Sequence, residues 1–226
     1  MCGRFQLSVK GKHISERFNV EVFDEMYKPS FNCAPGQNLP VITNTEPGKL
    51  SFFKWGLVPF WAKDPKIGNK LINTRAETIL ENPSFKAAFT RRRCLVPANG
   101  FFEWKKGTKK IPFRVLLKNE NLFAMAGLWE TWKDQENNML HTFSIITTQP
   151  NELMTPIHNR MPVILNREQE TVWLKSTNSD ELISLLTPFQ SDEMEVYPIS
   201  DLINSPFNNS QSVISNVKPD TLKPPF

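Results

Sequence analysis

The stretch Arg93-Cys94-Leu95-Val96-Pro97-Ala98-Asn99-Gly100-Phe101-Phe102-Glu103-Trp104-Lys105-Lys106 decides the fold. It opens a run of short apolar and aromatic segments, each bounded by turn residues and too short for a buried helix. Strands are expected at 93–97, 101–106, 112–118, 122–130, 141–148 and 161–165, with Gly107 and Asn119-Glu120-Asn121 as turns. Just upstream, Asn82 can cap a helix, Pro83 suits its first turn, and Phe85 and Phe89 share one face, which predicts a helix over 83–92.

Towards the N-terminus, Leu71 to Thr78 reads as a strand running into a turn, Phe60 to Asn69 as a loop, and Leu50 to Pro59 as a strand through Trp55. Asn44 to Gly48 is a turn, Leu39 to Thr43 a strand, and Phe31 to Gly36 a turn built on Pro35-Gly36. His13 to Phe18 is a short helix with Ile14 and Phe18 on one face. Towards the C-terminus, helices follow at 167–175 after an Asn166 cap and at 179–187 from Ser179, then a strand from Met194 to Pro198. Beyond Ile203 the composition turns to Asn, Ser and Pro, so a domain over 1–205 is expected to carry a tail over 206–226 packed on the surface or partly disordered. Many strands with few helices make an α+β chain: a single domain on a mostly antiparallel, strongly curved β-sheet core with a few flanking helices.

Composition bounds the function. With 226 residues, 39% of them hydrophobic, the chain can bury a full core, and its net charge of +4 permits an anionic partner without demanding one. The basic groups Arg91-Arg92-Arg93 and Lys105-Lys106 with Lys109-Lys110 read first as solvated faces. Cys2, Cys33 and Cys94 are odd in number and widely spaced, which excludes a disulfide framework and a zinc site of the CxxC type. No apolar run approaches ~18 residues and no signal-peptide h-region is present. A reduced, cytoplasmic monomer is expected, with no cofactor, metal or membrane partner.

Met1-Cys2-Gly3-Arg4 reads either as an ordinary frayed terminus, the default for Cys2 taken alone, or as the centre of the chemistry that the other candidates support. Removal of Met1 leaves a thiol and a free α-amine on adjacent carbons, a 1,2-aminothiol that is a specific reagent for aldehydes. An amine near pKa ~7.7–8.0 and a thiol near ~8.5 are both partly nucleophilic at neutral pH. The amine forms a Schiff base and the thiol closes on it as a thiazolidine. Three polar residues interrupt apolar strand context: Asn73, Glu103 between Phe102 and Trp104, and His158 before Met161-Pro162-Val163-Ile164-Leu165. Each also has an ordinary role, as a turn cap, a solvent-facing strand residue, and a packed histidine bonded to backbone. Trp61, at a loop edge beside a lysine, suits base stacking, whereas Trp55 suits the core. Arg4, Arg75 and Arg160 each lie within two residues of one of these groups and suit an anion, phosphate above all, with a surface salt bridge as the alternative for any one.

MCGRF, FNCAPG, WGLVPFWAKDPKIGNKLINTRAET, RRCLVPANGFFEWKK, FAMAGLWE, FSIITTQPN and IHNRMPVIL occur in the order found in the SRAP family, the abasic-site processing proteins once called SOS-response-associated peptidases. The resemblance spans residues 2 to about 165. It implies covalent trapping of abasic sites in single-stranded DNA, with Cys2 supplying both nucleophiles to the ring-opened sugar aldehyde. By the same resemblance Glu103 is the acid/base beside the terminal amine, Asn73 orients the terminus or the sugar, and His158 acts on the sugar hydroxyl or in strand cleavage. Arg4, Arg75 and Arg160 would bind flanking phosphates, Trp61 would stack on a neighbouring base, and Thr147 would add a backbone contact. The family more often carries Asp where this chain has Asn159. β-Elimination at the Schiff base would make AP-lyase activity a natural side reaction. Two other functions fit the residues: an N-terminal-Cys peptidase or amidase, which includes removal of its own Met1, and a non-catalytic single-stranded DNA-binding module.

Overall fold

The structure is a computed structural model, and it describes residues 2–23, 25–105, 107 and 110–217. The first half of the chain forms β1 (Phe5–Leu7), α1 (Gly11–Phe18), β2 (Ser30–Cys33), β3 (Asn38–Thr43), β4 (Ser51–Trp55), β5 (Asn73–Arg75) and α2 (Pro83–Arg91). Then come β6 (Arg93–Ala98), β7 (Gly100–Lys105), β8 (Ile111–Leu117), β9 (Phe123–Lys133), β10 (Met139–Thr148), β11 (Met161–Pro162) and β12 (Ile164–Leu165). The last elements are α3 (Arg167–Lys175), α4 (Ser179–Ser184) and β13 (Met194–Pro198).

The strands make two sheets. One runs β13-β8-β7-β1-β2, and the other runs β11-β10-β4-β3-β6-β9-β12 with β5 on β10. Because β10 also pairs with β9, the strands β10, β4, β3, β6 and β9 close on themselves into a barrel. Closure removes the open edges that a curved sheet would otherwise expose. Pairing between these strands is antiparallel except where β10 runs parallel to β4 and β5. The stretch over 93–105 joins the two sheets: β6 lies in the barrel, β7 in the open sheet, and Asn99 is the only residue between them.

Local chemistry explains most boundaries. Asn82 caps α2 by accepting from the Ser84 amide, with Pro83 in its first turn. Asn166 and Gln169 form a reciprocal capping box on α3. β4 stops at Trp55 rather than running on to Pro59, since Gly56 takes a φ of 130° that a strand residue does not adopt. A Cβ on Gly56 would lie 2.7 Å from the Gly68 carbonyl oxygen, so the 3-10 turn Pro65–Lys70 packs against bare backbone there. α4 ends at Ser184, three residues short of the expected helix, and 161–165 divides into β11 and β12 around Val163. The expected strand over 101–106 is β7 up to Lys105; Lys106 lies outside the described residues. β1 and β2 were not expected. Phe31 to Cys33, anticipated as the start of a turn, instead pair with β1, and the turn is confined to the residues around Pro35-Gly36.

The C-terminal segment covers the outer face of the open sheet. Phe102 packs with Ile199, Ile203 and Val213, all buried, and Trp104 donates to the Asn204 side chain. Residues 206–217 include the 3-10 turn Gln211–Ile214, and 218–226 lie outside the described residues.

Candidate active site

β1 carries the chain's start into the joint between the two sheets. Phe5 pairs with Phe101 of β7 on one side and with Cys33 of β2 on the other, and the Phe102 amide donates to the Arg4 carbonyl at 3.0 Å. This pairing fixes the residues just before β1 against β7. Cys2 is wholly buried, and the Asn73 side-chain amide donates to its carbonyl at 2.9 Å. Asn73 is held in turn by β5, which pairs Asn73 with Ile145 of the barrel strand β10.

On β7, Phe101, Phe102 and Glu103 are all buried, Glu103 being 2% exposed. Such a run means cover on both faces. Phe102 turns to the C-terminal segment, whereas Phe101 and, by the two-residue repeat of a strand, Glu103 turn to the main core that holds Cys2. Burial pushes the Glu103 carboxyl up to about 7, even though the Trp104 backbone donates to it. The Cys2 thiol is also pushed up, by its burial first and then by the negative charge of Glu103. The two groups therefore sense each other, and the thiol is protonated at neutral pH. Burial raises Cys33 to about 12 and Cys94 further still, but neither sits by a carboxylate that shifts it.

His158 completes the cluster, its Nε2 lying 3.9 Å from Glu103 Oε2. The Arg160 amide donates to His158 Nδ1 at 3.1 Å, so the neutral ring carries its proton on Nε2, towards the carboxylate. The Arg160 carbonyl is 3.2 Å from the same nitrogen, which provides an acceptor when the ring is doubly protonated. A histidine bonded to backbone and a histidine facing a reactive group are here the same residue. The arrangement can move a proton: an acid poised near neutrality, an imidazole against it, and a thiol within reach of its charge.

The flanking residues divide. Arg75 is exposed at the end of β5. Arg160, 8% exposed, grips Glu77 with both terminal nitrogens at 2.7 and 2.9 Å and also donates to the Thr147 carbonyl. Thr147 is buried, and its hydroxyl donates to the Thr74 carbonyl, tying β10 to β5. Arg4 is half-buried and donates to Asn32 Oδ1 and to the carbonyls of Ile203 and Asn204, binding the C-terminal segment to the strand that carries Cys2. Trp55 is a core residue, fully buried against Phe5 and Phe143. Trp61 is 49% exposed on the loop after β4. Asn159 is exposed. Cys2, Asn73, Glu103 and His158 thus meet at one place, Arg4, Arg160 and Thr147 brace it, and Arg75 and Trp61 face solvent.

Glu77 and Asn32 were not anticipated. Glu77 lies in the same Asn73-to-Thr78 stretch, at a two-residue spacing from Arg75, and that alternation was the available signal. Asn32 pairs with groups more than 170 residues away, and nothing local marks it.

The family model described as SOS response associated peptidase (SRAP) matches residues 1–206. The chain is 51% identical over 223 residues to the abasic site processing protein YoqW of Bacillus subtilis, covering 96% of this chain and all of that one. It is 30% identical over 234 residues to the abasic site processing protein HMCES of Rattus norvegicus, covering 84% of this chain and 66% of that protein. Its fold matches a crystal structure of a protein from Bacteroides thetaiotaomicron with a TM-score of 0.89 and 32% identity, over 96% of this chain and 100% of the other.

Proposed function

The chain belongs to the SRAP family, and on that premise we propose that it processes abasic sites by trapping them covalently in single-stranded DNA through Cys2, once Met1 has been removed. The observation that carries the proposal is the meeting of buried Cys2 and Glu103 with partly buried Asn73 and His158 in one cluster. An abasic site is an aldehyde masked as a hemiacetal. Protonated Glu103 gives its proton to the ring oxygen as the sugar opens and recovers one from the incoming amine. The amine adds to C1′, and Glu103 passes the recovered proton to the carbinolamine hydroxyl, which leaves as water and gives the Schiff base. Glu103, now a carboxylate, takes the proton from the Cys2 thiol as sulfur adds to C1′. One C–N and one C–S bond form for each water lost. Asn73 holds the Cys2 carbonyl so that amine and thiol share one approach, and His158 serves the sugar hydroxyl or the elimination that would cleave the strand.

Arg75 and Trp61 are exposed and free to take a flanking phosphate and a base. Arg4 meets a phosphate by exchanging the Asn204 carbonyl, its exposed partner at 3.3 Å. Arg160 meets a phosphate by exchanging Glu77, a partner 41% exposed, with Thr147 keeping its place through the carbonyl. The burial of Cys2 supports attack on a small, extruded sugar over hydrolysis of an external peptide, and leaves removal of its own Met1 as the peptidase-like step. The test is incubation with a single-stranded oligonucleotide carrying one abasic site, followed by a denaturing gel. A shifted band is expected with the parent and none with Cys2→Ala. A band of equal strength with Cys2→Ala, or with an undamaged oligonucleotide, overturns the proposal.

A further inference from the structure

A second surface lies apart from the cluster. α2, β9 and the loop after β4 enclose an open groove of about 1240 Å³. Phe60 and Trp61 stand on its lip, 59% and 49% exposed, and the half-buried Trp129 ring forms a wall, its Nε1 donating to Asn44 Oδ1. Lys86, Arg91 and Lys133 are exposed around it and form no ion pair among the described residues. Its acid, Glu130, is buried and neutralised by Arg92 at 2.6 Å. The groove therefore presents uncompensated positive charge beside exposed aromatic rings.

We propose that this groove is a second binding site, for the undamaged stretch of a single-stranded nucleic acid, with Lys86, Arg91 and Lys133 on its phosphates and Phe60 stacked on a base. Large rings exposed next to cations are the composition of a stacking surface over a backbone channel. An acidic peptide would satisfy the charges but not the exposed rings. Continuity with the Cys2 cluster also favours a strand. Trp129 and Thr131 pair with Phe143 and His141 of β10, while Asn73, which holds Cys2, pairs with Ile145 of the same strand. The groove wall on β9 and Asn73 on β5 flank β10, two strand spacings apart and two to four residues along it, roughly 12–17 Å. A few nucleotides span that distance, at roughly 3.4 Å each in a stacked strand. Trp61 stands on the groove's lip, open to a base of the same strand. The identity of the strand rests on the proposed function; the presence of a nucleic-acid site does not.

The experiment uses two probes. The first is a long, labelled, undamaged thymidine oligonucleotide, whose affinity is measured against salt; the second is an abasic trinucleotide, too short to reach the groove, whose crosslinking reports the Cys2 cluster alone. Combining Lys86→Ala, Arg91→Ala and Lys133→Ala is expected to weaken the long strand at least tenfold and to lower the salt slope by about 2, three contacts at ~0.7 each. Phe60→Ala is expected to weaken it roughly tenfold with the slope unchanged. All variants melt with the parent and crosslink the trinucleotide at its rate. Unchanged affinity and slope in the triple variant would return these residues to a solvated face and overturn the proposal, and so would a polyglutamate peptide that competes as well as the oligonucleotide. If the parent binds the long strand but crosslinks no abasic DNA, the proposed function fails while the groove stands.

Discussion

Replacing Glu103 with Gln separates the cost of the buried acid from its use. Burial raises the carboxyl from an ordinary 4.5 to about 7, and the residue is 2% exposed, so little of the effect is screened by solvent. Between those two pH values the native chain holds a proton that the unfolded chain has released. Stability from this group is therefore full below pH ~4.5 and lost as pH rises through ~7. The shift corresponds to about 3 kcal/mol, at ~1.4 kcal/mol per unit. Glu103→Gln keeps the shape and removes the titration. Relative to the parent, the variant should gain about 3 kcal/mol between pH 4 and pH 8, or roughly 6–12 °C in melting temperature for a chain of this size. Over the same change, single-turnover crosslinking of abasic single-stranded DNA should slow by ~10²–10⁴-fold. The assay is denaturant unfolding of both proteins at several pH values, beside a crosslinking time course. A stability difference that does not vary with pH would refute the argument that Glu103 is held as a high-pKa acid. Parental crosslinking rates in the variant would remove its proton-shuttle role.

Two further substitutions test the frame around the cluster. Asn73→Ala removes the amide that holds the Cys2 carbonyl and should slow crosslinking about tenfold, equivalent to ~1.4 kcal/mol, without weakening strand binding; an unchanged single-turnover rate would reduce Asn73 to a turn residue. Gly56→Ala meets a positive φ and the Gly68 carbonyl oxygen together, and should cost on the order of 3 kcal/mol by thermal unfolding; a loss below ~1 kcal/mol would mean that the loop after β4 is not pinned there.

Where local chemistry decides an element, the residues announce it. The Asn82-Pro83 start of α2 and the Asn166 cap of α3 appear where their side chains dictate. β1 and β2 were illegible because three or four residues carry no periodicity of their own; β1 is a strand because β7 lies beside it, almost one hundred residues away, and β2 because β1 does. The face of Glu103 was undecided for a related reason. Alternation tells which residues share a side but not which sides are covered, and here Ile199, Ile203 and Val213 cover the second one. His158 illustrates the limit of choosing between roles, since Arg160 anchors one ring nitrogen and thereby turns the other towards Glu103. The chemical character of Cys2 could be read from its neighbours in the chain, whereas the partners of Arg4 on residues 203 and 204 follow only from the path of the C-terminal segment.

The most direct test is the mass of the adduct itself. Protein incubated with abasic single-stranded DNA is digested with nuclease and trypsin without any borohydride treatment, and the peptide carrying the DNA remnant is sequenced by mass spectrometry. Trapping through Cys2 predicts a peptide that begins at Cys2, has lost Met1, and carries the sugar remnant with the loss of one water, as a thiazolidine requires. The same adduct should survive denaturation, whereas Cys2→Ser should give one only after reduction. A remnant on a lysine, or on a peptide that still begins with Met1, would contradict it.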